Sequence, residues 1–518
     1  MSDMYFSSLD IGTTGVKAMI VNQYGKVISK AYREYPCEYP RPGWVEQDVV
    51  IMWEKLCEAS NEAISKLNKP ADSINSLGIS SQRGTFIAVD KNINPIMNSI
   101  VWSDTRADKE LVWILENVGK ERYHKISGVP VSGLWSYAKI KWFIDNKKDI
   151  FDKTYKILNG QEYFLHKLGS DEISTDPSSI TMNGMLDVDN LAWSRELCDF
   201  INLPVEKLPL MGTPARMVGK ISEEASQKTG FARGMPIAIG GGDQQCTAIG
   251  SGIIKEGMAV IILGTGMPIV THIDSRKKDD QRKVLIGGSG IPGKWDMEGI
   301  QLTGGATLRW WKENFAYQEN KSSQELGIDV YKIIDMEASK SPVGSKGILF
   351  FPFFQGQSTP SYDDNAKGGF LGISLFHNNM DMMRSVMEGT SFETNMVKEA
   401  METVLGKSFD TIRLSGGGAK SDLWSKIKAD IFGRPVERLK EPDCASLGAA
   451  ILGAYGCGFF KNIEEGVQNM VHLMDAIEPD EKNHQLYREE YDIFKKTFEL
   501  LSKNDIFKNI AGIQKKWF

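Results

Sequence analysis

Tyr5-Phe-Ser-Ser-Leu-Asp10-Ile-Gly-Thr-Thr-Gly15-Val-Lys17-Ala-Met-Ile-Val21 is the stretch that decides the fold. Residues 5–11 read as an apolar strand, Gly12–Gly15 as a turn, and 16–21 as a second strand. Gly25 opens another turn and 27–32 continues the pattern, so the chain begins as a hairpin of a mixed sheet. Asp48 then precedes Val49, Met52, Trp53, Leu56, Ala59, Ala63 and Leu67, an apolar stripe at helical spacing behind an N-cap residue. Residues 76–80 read as the next strand. Strands and helices alternate from there, which makes the expected class α/β.

The opening design recurs midway. Residues 257–263 form an apolar run, Gly264-Thr265-Gly266 a turn, and 267–271 a second apolar run. Two Gly/Thr hairpins in one chain suit two domains of related build. In 518 residues, two large domains also match the usual ~100–200 residues per domain. The boundary is expected near 250–252, giving an N-terminal unit over 1–250 and a C-terminal unit over 251–480. A helical tail over 481–518 should pack on the second unit, with Leu486, Tyr487, Tyr491, Phe494, Phe498 and Leu501 on its apolar face.

Composition narrows the function. The net charge is −6, so no basic excess calls for nucleic acid or an anionic membrane. No apolar run reaches the ~18–20 residues a membrane span needs, and the start lacks the pattern of a signal peptide. Six cysteines lie scattered without a CxxC pair, and six histidines form no HxxxH, which argues against structural zinc and a disulfide framework. A reduced, cytoplasmic enzyme is expected.

Four glycine-rich turns follow apolar strands: Gly12–Gly15, Gly240–Gly242, Gly264–Gly266 and Gly416–Gly418. Glycine lets backbone N–H groups approach an anion, and threonine hydroxyls add donors. Jointly they point to a nucleotide phosphate chain held between domains. No GxxxxGK[ST] is present, and no GxGxxG with a trailing acid. Asp10 ends the first strand, and Asp243 follows three glycines ahead of a helix. Either carboxylate can hold Mg²⁺ or take a substrate proton. A lone Asp there would otherwise cap the helix, and the glycines count against a bare cap. Gln82 and Arg83 lie just past an apolar strand, where α/β folds place ligand groups. Trp102 offers a flat wall to a sugar, or plain core packing.

These segments resemble the FGGY carbohydrate kinase family nearly end to end. The resemblance rests on Asp10-Ile-Gly-Thr-Thr-Gly-Val-Lys17, Pro42-Gly-Trp-Val-Glu-Gln-Asp48, Ile100-Val-Trp-Ser-Asp-Thr-Arg106, Gly241-Gly-Asp-Gln-Gln245, Gly304-Gly-Ala306, Gly368 to Glu388, Ser415-Gly-Gly-Gly418 and Ala445 to Ala450. It implies two actin/ribonuclease-H-like domains flanking a deep cleft, with ATP mainly on the second and a sugar or polyol mainly on the first. Asp243 would be the catalytic base, and Asp10 with Asp243 would hold magnesium. Thr13, Thr14 and Lys17 would approach the phosphates. Thr265, Gly266, Gly305, Arg309, Gly417, Gly418 and Ser421 would surround the nucleotide. Gln82, Arg83, Trp102, Asp243 and Gln244 would line the sugar site. Glycerol-kinase relatives have Gln at the position of Arg309 and Asn at that of Ser421.

The substrate signal is mixed. Gln82-Arg83, Trp102 and Gln244 look like glycerol kinase, but that pattern has Glu where Gly84 stands and Tyr where Leu134 stands. Losing both is expected to enlarge the pocket. Xylulokinases have Met-His at 83–84 yet share the Gly-Gly-Asp and Gly-Gly-Ala elements. The expectation is a ketopentose, xylulose first and glycerol second, with ribulose, gluconate, erythritol or an autoinducer-type diol open. A homodimer is a further expectation. An actin- or chaperone-like ATPase is the alternative class.

Overall fold

The computed structural model describes residues 3–517. The opening motif folds as read. Strands Tyr5–Ile11 and Gly15–Asn22 pair antiparallel, with Asp10 opposite Lys17, and Val27–Glu34 pairs with the second. Strand Ile74–Ser81 then joins the first in parallel, its Ser80 beside Asp10. Pro236–Ala238 and Met217–Lys220 complete the far edge, and Gly241–Gly242 pairs with residues 80–81. Helix Val49–Ser65 covers one face with its apolar stripe, and Asp48 caps it by accepting from Val50 N.

The second sheet repeats this plan. Met258–Ile262 and Ile269–Ile273 form the hairpin, and Trp295–Gly299 pairs antiparallel with the latter. Thr411–Ser415 joins Met258–Ile262 in parallel. Each sheet thus carries a run of antiparallel strands, three in the first and four in the second, joined to a parallel strand, as in actin/ribonuclease-H-like domains. In both, the glycine turns lie at the same end, on the two walls of a cleft.

The expected 251–480 unit is not one packing unit. Helix Cys444–Gly456 leaves the second sheet and joins a core with Phe6, Met19 and Val21 of the first. Its Gly448 backs onto the Cys246 carbonyl of helix Asp243–Gly250, and Ala449 backs onto Gly78. Glycine at both contacts is what allows that approach. In the tail, Tyr487, Tyr491, Phe494 and Phe498 enter the core of the second domain. The tail folds as helix Glu481–Lys503 followed by a further helix, Ile506–Trp517. Among the described residues, no helix is long and apolar enough to cross a membrane.

Candidate active site

Asp243 opens helix Asp243–Gly250, with Gly242 as its N-cap, so the carboxylate does not act as a bare cap. A third of the side chain faces the cleft, while Oδ1 is buried without a hydrogen-bond partner. Gly242 N donates to Ser178 Oγ at 3.0 Å, which fixes the turn just ahead of it. Desolvation pushes Asp243 up to about 6, the Arg83 guanidinium opposes this, and Asp10 and Glu298 add to it. Asp10 accepts from Ser80 Oγ at 2.7 Å. Desolvation nevertheless holds it above the usual carboxylate range.

Arg83 was expected to line the sugar site. Most of its donors are engaged within the protein. Its side chain is buried, and Nη1 and Nη2 grip Glu298 of the second domain at 2.8 and 2.7 Å. Nε and Nη2 donate to Gln244 Oε1 at 3.1 and 2.5 Å, and Nε lies 3.4 Å from Asp243 Oδ1. Of the five guanidinium N–H groups, four are engaged by Glu298 and Gln244. Gln245 Nε2 also donates to Glu298, at 2.8 Å. Glu298 lies on strand Trp295–Gly299, which carries no motif, so sequence reasoning missed it.

Gln82 is likewise spent on the framework. It accepts from Thr13 Oγ1 at 2.8 Å and donates to Gln47 Oε1 at 3.0 Å, while Gln47 Nε2 holds the Thr13 carbonyl at 2.6 Å. Trp102 Nε1 donates to Thr13 Oγ1 at 2.9 Å. The indole is therefore neither loose wall nor plain core, because it is pinned to the first phosphate turn. Gln47, inside the quoted Pro42–Asp48 motif, is a second missed residue. Thr14 is exposed, with Oγ1 3.4 Å from Tyr32 OH. Lys17 points at Asp443, which also pairs with Lys30 at 2.9 Å, so a phosphate would have to draw it away.

Gly84 has close neighbours. Its φ is +71°, and a Cβ there would sit 3.2 Å from both the Leu134 carbonyl and Trp102 Cβ.

On the second wall, Gly305 N donates to Gly264 O at 2.9 Å and Gly304 N to Thr265 O at 2.9 Å, so two turns stack directly. Gly266 abuts the Gln301 carbonyl, and Gly417 faces open space. Gly418 N holds the Leu263 carbonyl at 3.0 Å. Arg309 Nη2 lies 3.3 Å from Thr265 Oγ1. Ser421 caps helix Asp422–Phe432 by accepting from Trp424 N at 2.9 Å. The expected residues thus form two groups facing each other, joined at Arg83–Glu298.

Among the described residues, no cluster of three His, Cys, Asp or Glu side chains could hold a metal alone. Asp10 and Asp243 offer oxygen donors only. That set fits Mg²⁺, which commonly takes one or two carboxylates plus water and phosphate oxygens.

Comparison with known proteins agrees with this geometry. The N-terminal domain model of the FGGY family of carbohydrate kinases matches residues 5–250, and the C-terminal domain model matches 259–457. Xylulose kinase of Bacillus subtilis (strain 168) is 28% identical over 95% of this chain and 96% of its own length. Glycerol kinase 2 of Thermotoga maritima is 29% identical over 93% and 96%. The crystal structure of ligand-bound xylulose kinase from Lactobacillus acidophilus superposes with a TM-score of 0.87, covering 96% of this chain and 98% of that one at 23% identity, a likeness of fold. With both domain models spanning the chain, the protein belongs to the FGGY family of carbohydrate kinases.

Proposed function

We propose that the protein transfers the γ-phosphate of ATP to one hydroxyl of a ketopentose, xylulose first, with Asp243 as general base. The observation that carries this is the Asp243 carboxylate beside the glycine turns, a third of its side chain exposed while Oδ1 is buried without a hydrogen bond, 3.4 Å from Arg83 Nε. A carboxyl near 6 is poised to take a proton at neutral pH, and such help contributes ~10²–10⁴-fold. The acceptor oxygen attacks the γ-phosphorus in line as its proton passes to Asp243. The transition state is loose, so positioning and charge neutralisation dominate. Asp10 and Asp243 would hold Mg²⁺, which neutralises phosphate charge when bound. Thr13, Thr14 and Lys17 steer the phosphates from one wall, and Thr265, Gly266, Gly305, Arg309, Gly417, Gly418 and Ser421 seat the nucleotide on the other. Arg83, Trp102 and Gln244 orient the acceptor, and Gln82 holds Thr13. Closing the walls excludes water and limits wasteful hydrolysis. A cytoplasmic location suits substrates drawn from the metabolite pool.

Gly84 supports a substrate other than a three-carbon triol, because no carboxylate stands there to bind one. Glycerol is the second reading, favoured by the Arg83–Gln244–Trp102 set. A coupled ADP-release screen over glycerol, tetritols, pentuloses and aldonates tests both. Stimulation greatest with D-xylulose is expected. A higher kcat/KM for glycerol or an aldonate overturns the ketopentose reading, and no stimulation by any acceptor overturns the acceptor class.

A further inference from the structure

Lys139 is the most unusual charge near the site. It lies on helix Ser136–Asn146 with its side chain completely buried. Among the described residues, no carboxylate lies within ion-pairing distance of it. The nearest acidic group that acts on it is Asp104, whose oxygens are committed to Val45 N at 2.5 Å and to Arg106 at 2.9 and 2.7 Å. Instead, Lys139 Nζ donates to three backbone carbonyls: Trp102 at 2.7 Å, Leu134 at 3.1 Å and Gly133 at 3.2 Å. An ammonium has three donors, and all three are used.

Those carbonyls belong to two separate loops, and the kinase reading puts the acceptor against the Trp102 indole. Trp102 supplies the indole, whose Nε1 is anchored at Thr13. Leu134 and Trp102 are also the two groups that close on Gly84, each 3.2 Å from where a Cβ would stand. Gly84 and Lys139 thus fix the same two loops at the same place. Burying an ammonium is costly, and burial lowers Lys139 to about 7. An apolar side chain would fill the same space without that cost, but it would leave three carbonyls unpaired.

We infer that Lys139 is a specificity-determining positioning residue, whose ammonium ties the Trp102 loop to the 133–134 loop and so sets the width of the acceptor pocket. The inference rests on the kinase reading above. It concerns acceptor selection first, because none of the three carbonyls lies on the second wall and the one link to the phosphate-steering residues is the Trp102 Nε1 bond to Thr13.

The test uses the full chain and the acceptor that performs best in the wild-type screen. For Lys139→Met, acceptor KM should rise about tenfold or more, and discrimination against the homologue one carbon longer should shrink by a similar factor, the range one methylene commands in a fitted pocket. KM for ATP should rise several-fold less than KM for the acceptor, since the nucleotide is touched only through the Trp102–Thr13 bond. Lys139→Arg, which keeps the charge and donors, should recover part of the acceptor KM. Unchanged acceptor KM and discrimination in Lys139→Met overturn the inference. So does a parallel loss of acceptor and ATP affinity, which marks a purely structural role. If Lys139→Met does not fold, Gly84→Ala presses the same wall from the opposite side. It must then shift acceptor KM more than ATP KM, and an unshifted acceptor KM overturns the inference. If the wild type phosphorylates no acceptor in the screen, the kinase reading fails first and this inference falls with it. Wild-type turnover with an unaltered Lys139 variant sinks this inference alone.

Discussion

Asp243 is held near 6 because desolvation outweighs the single cation beside it, while Asp10 and Glu298 push the same way. Two consequences can be measured. The acid limb of kcat/KM for the acceptor should have its midpoint near pH 6, falling about tenfold per unit below it as the base is protonated. A limb near the ordinary carboxylate range of ~4 would remove Asp243 from the role. The second concerns stability. A carboxyl raised in the folded state binds more protons there than in the unfolded chain. Its contribution is therefore full below the unfolded value and is lost as pH rises through about 6. Asp243→Asn should abolish phosphoryl transfer, keep ATP binding, and melt higher than wild type at neutral pH, the difference vanishing in acid. Near-native turnover in this variant would end the assignment. At this scale the sequence was only partly legible. Asp10 and Asp243 stood out because glycines flanked them. The engagement of Gln82 with Thr13 and Gln47 did not, because a side chain's partner 69 or 35 residues away leaves no local trace.

Both hairpins were readable as elements because glycine turns interrupt apolar runs of strand length. Helix Cys444–Gly456 was different. It is apolar nearly all round, so its sequence says that it is buried but not against which sheet. Its placement depends on Gly448, whose added Cβ would coincide with the Cys246 carbonyl oxygen. Gly448→Ala must therefore push this helix away from Asp243–Gly250, the helix that begins with the base. The cost expected for such overpacking is ~1–3 kcal/mol, read as a lower melting temperature. Because the displaced helix carries Asp243, kcat should fall more than the acceptor KM rises. A variant with wild-type melting and turnover would show that the two helices yield without disturbing the site.

For the whole molecule, the decisive contact is the one that joins the two domains at the chemistry. Arg83 and Glu298 are separated by 215 residues, each nearly inaccessible to solvent, and together they form a bidentate pair behind Asp243. No pattern in Trp295-Asp-Met-Glu-Gly299 announced it, since a strand's burial says nothing about a charge on the opposite domain. The two-domain plan was legible from repeated turns, whereas the lock between the domains was not. Buried ion pairs are poor sources of net stability but costly to break from one side, typically ~3–5 kcal/mol, because the surviving charge stays desolvated. Glu298→Ala should therefore destabilise the protein by about that amount and collapse Arg83 onto Asp243, 3.4 Å away, removing activity with it. Glu298→Gln keeps a hydrogen-bond acceptor and should cost less. The double variant Arg83→Met with Glu298→Leu should regain most of the lost stability, since neither charge then remains, yet stay inactive for want of Arg83. Chemical unfolding of the three proteins beside wild type checks this order. If Glu298→Ala and the double variant are equally destabilised, the loss comes from packing at the domain junction rather than from an orphaned guanidinium, and the electrostatic account of the lock is wrong.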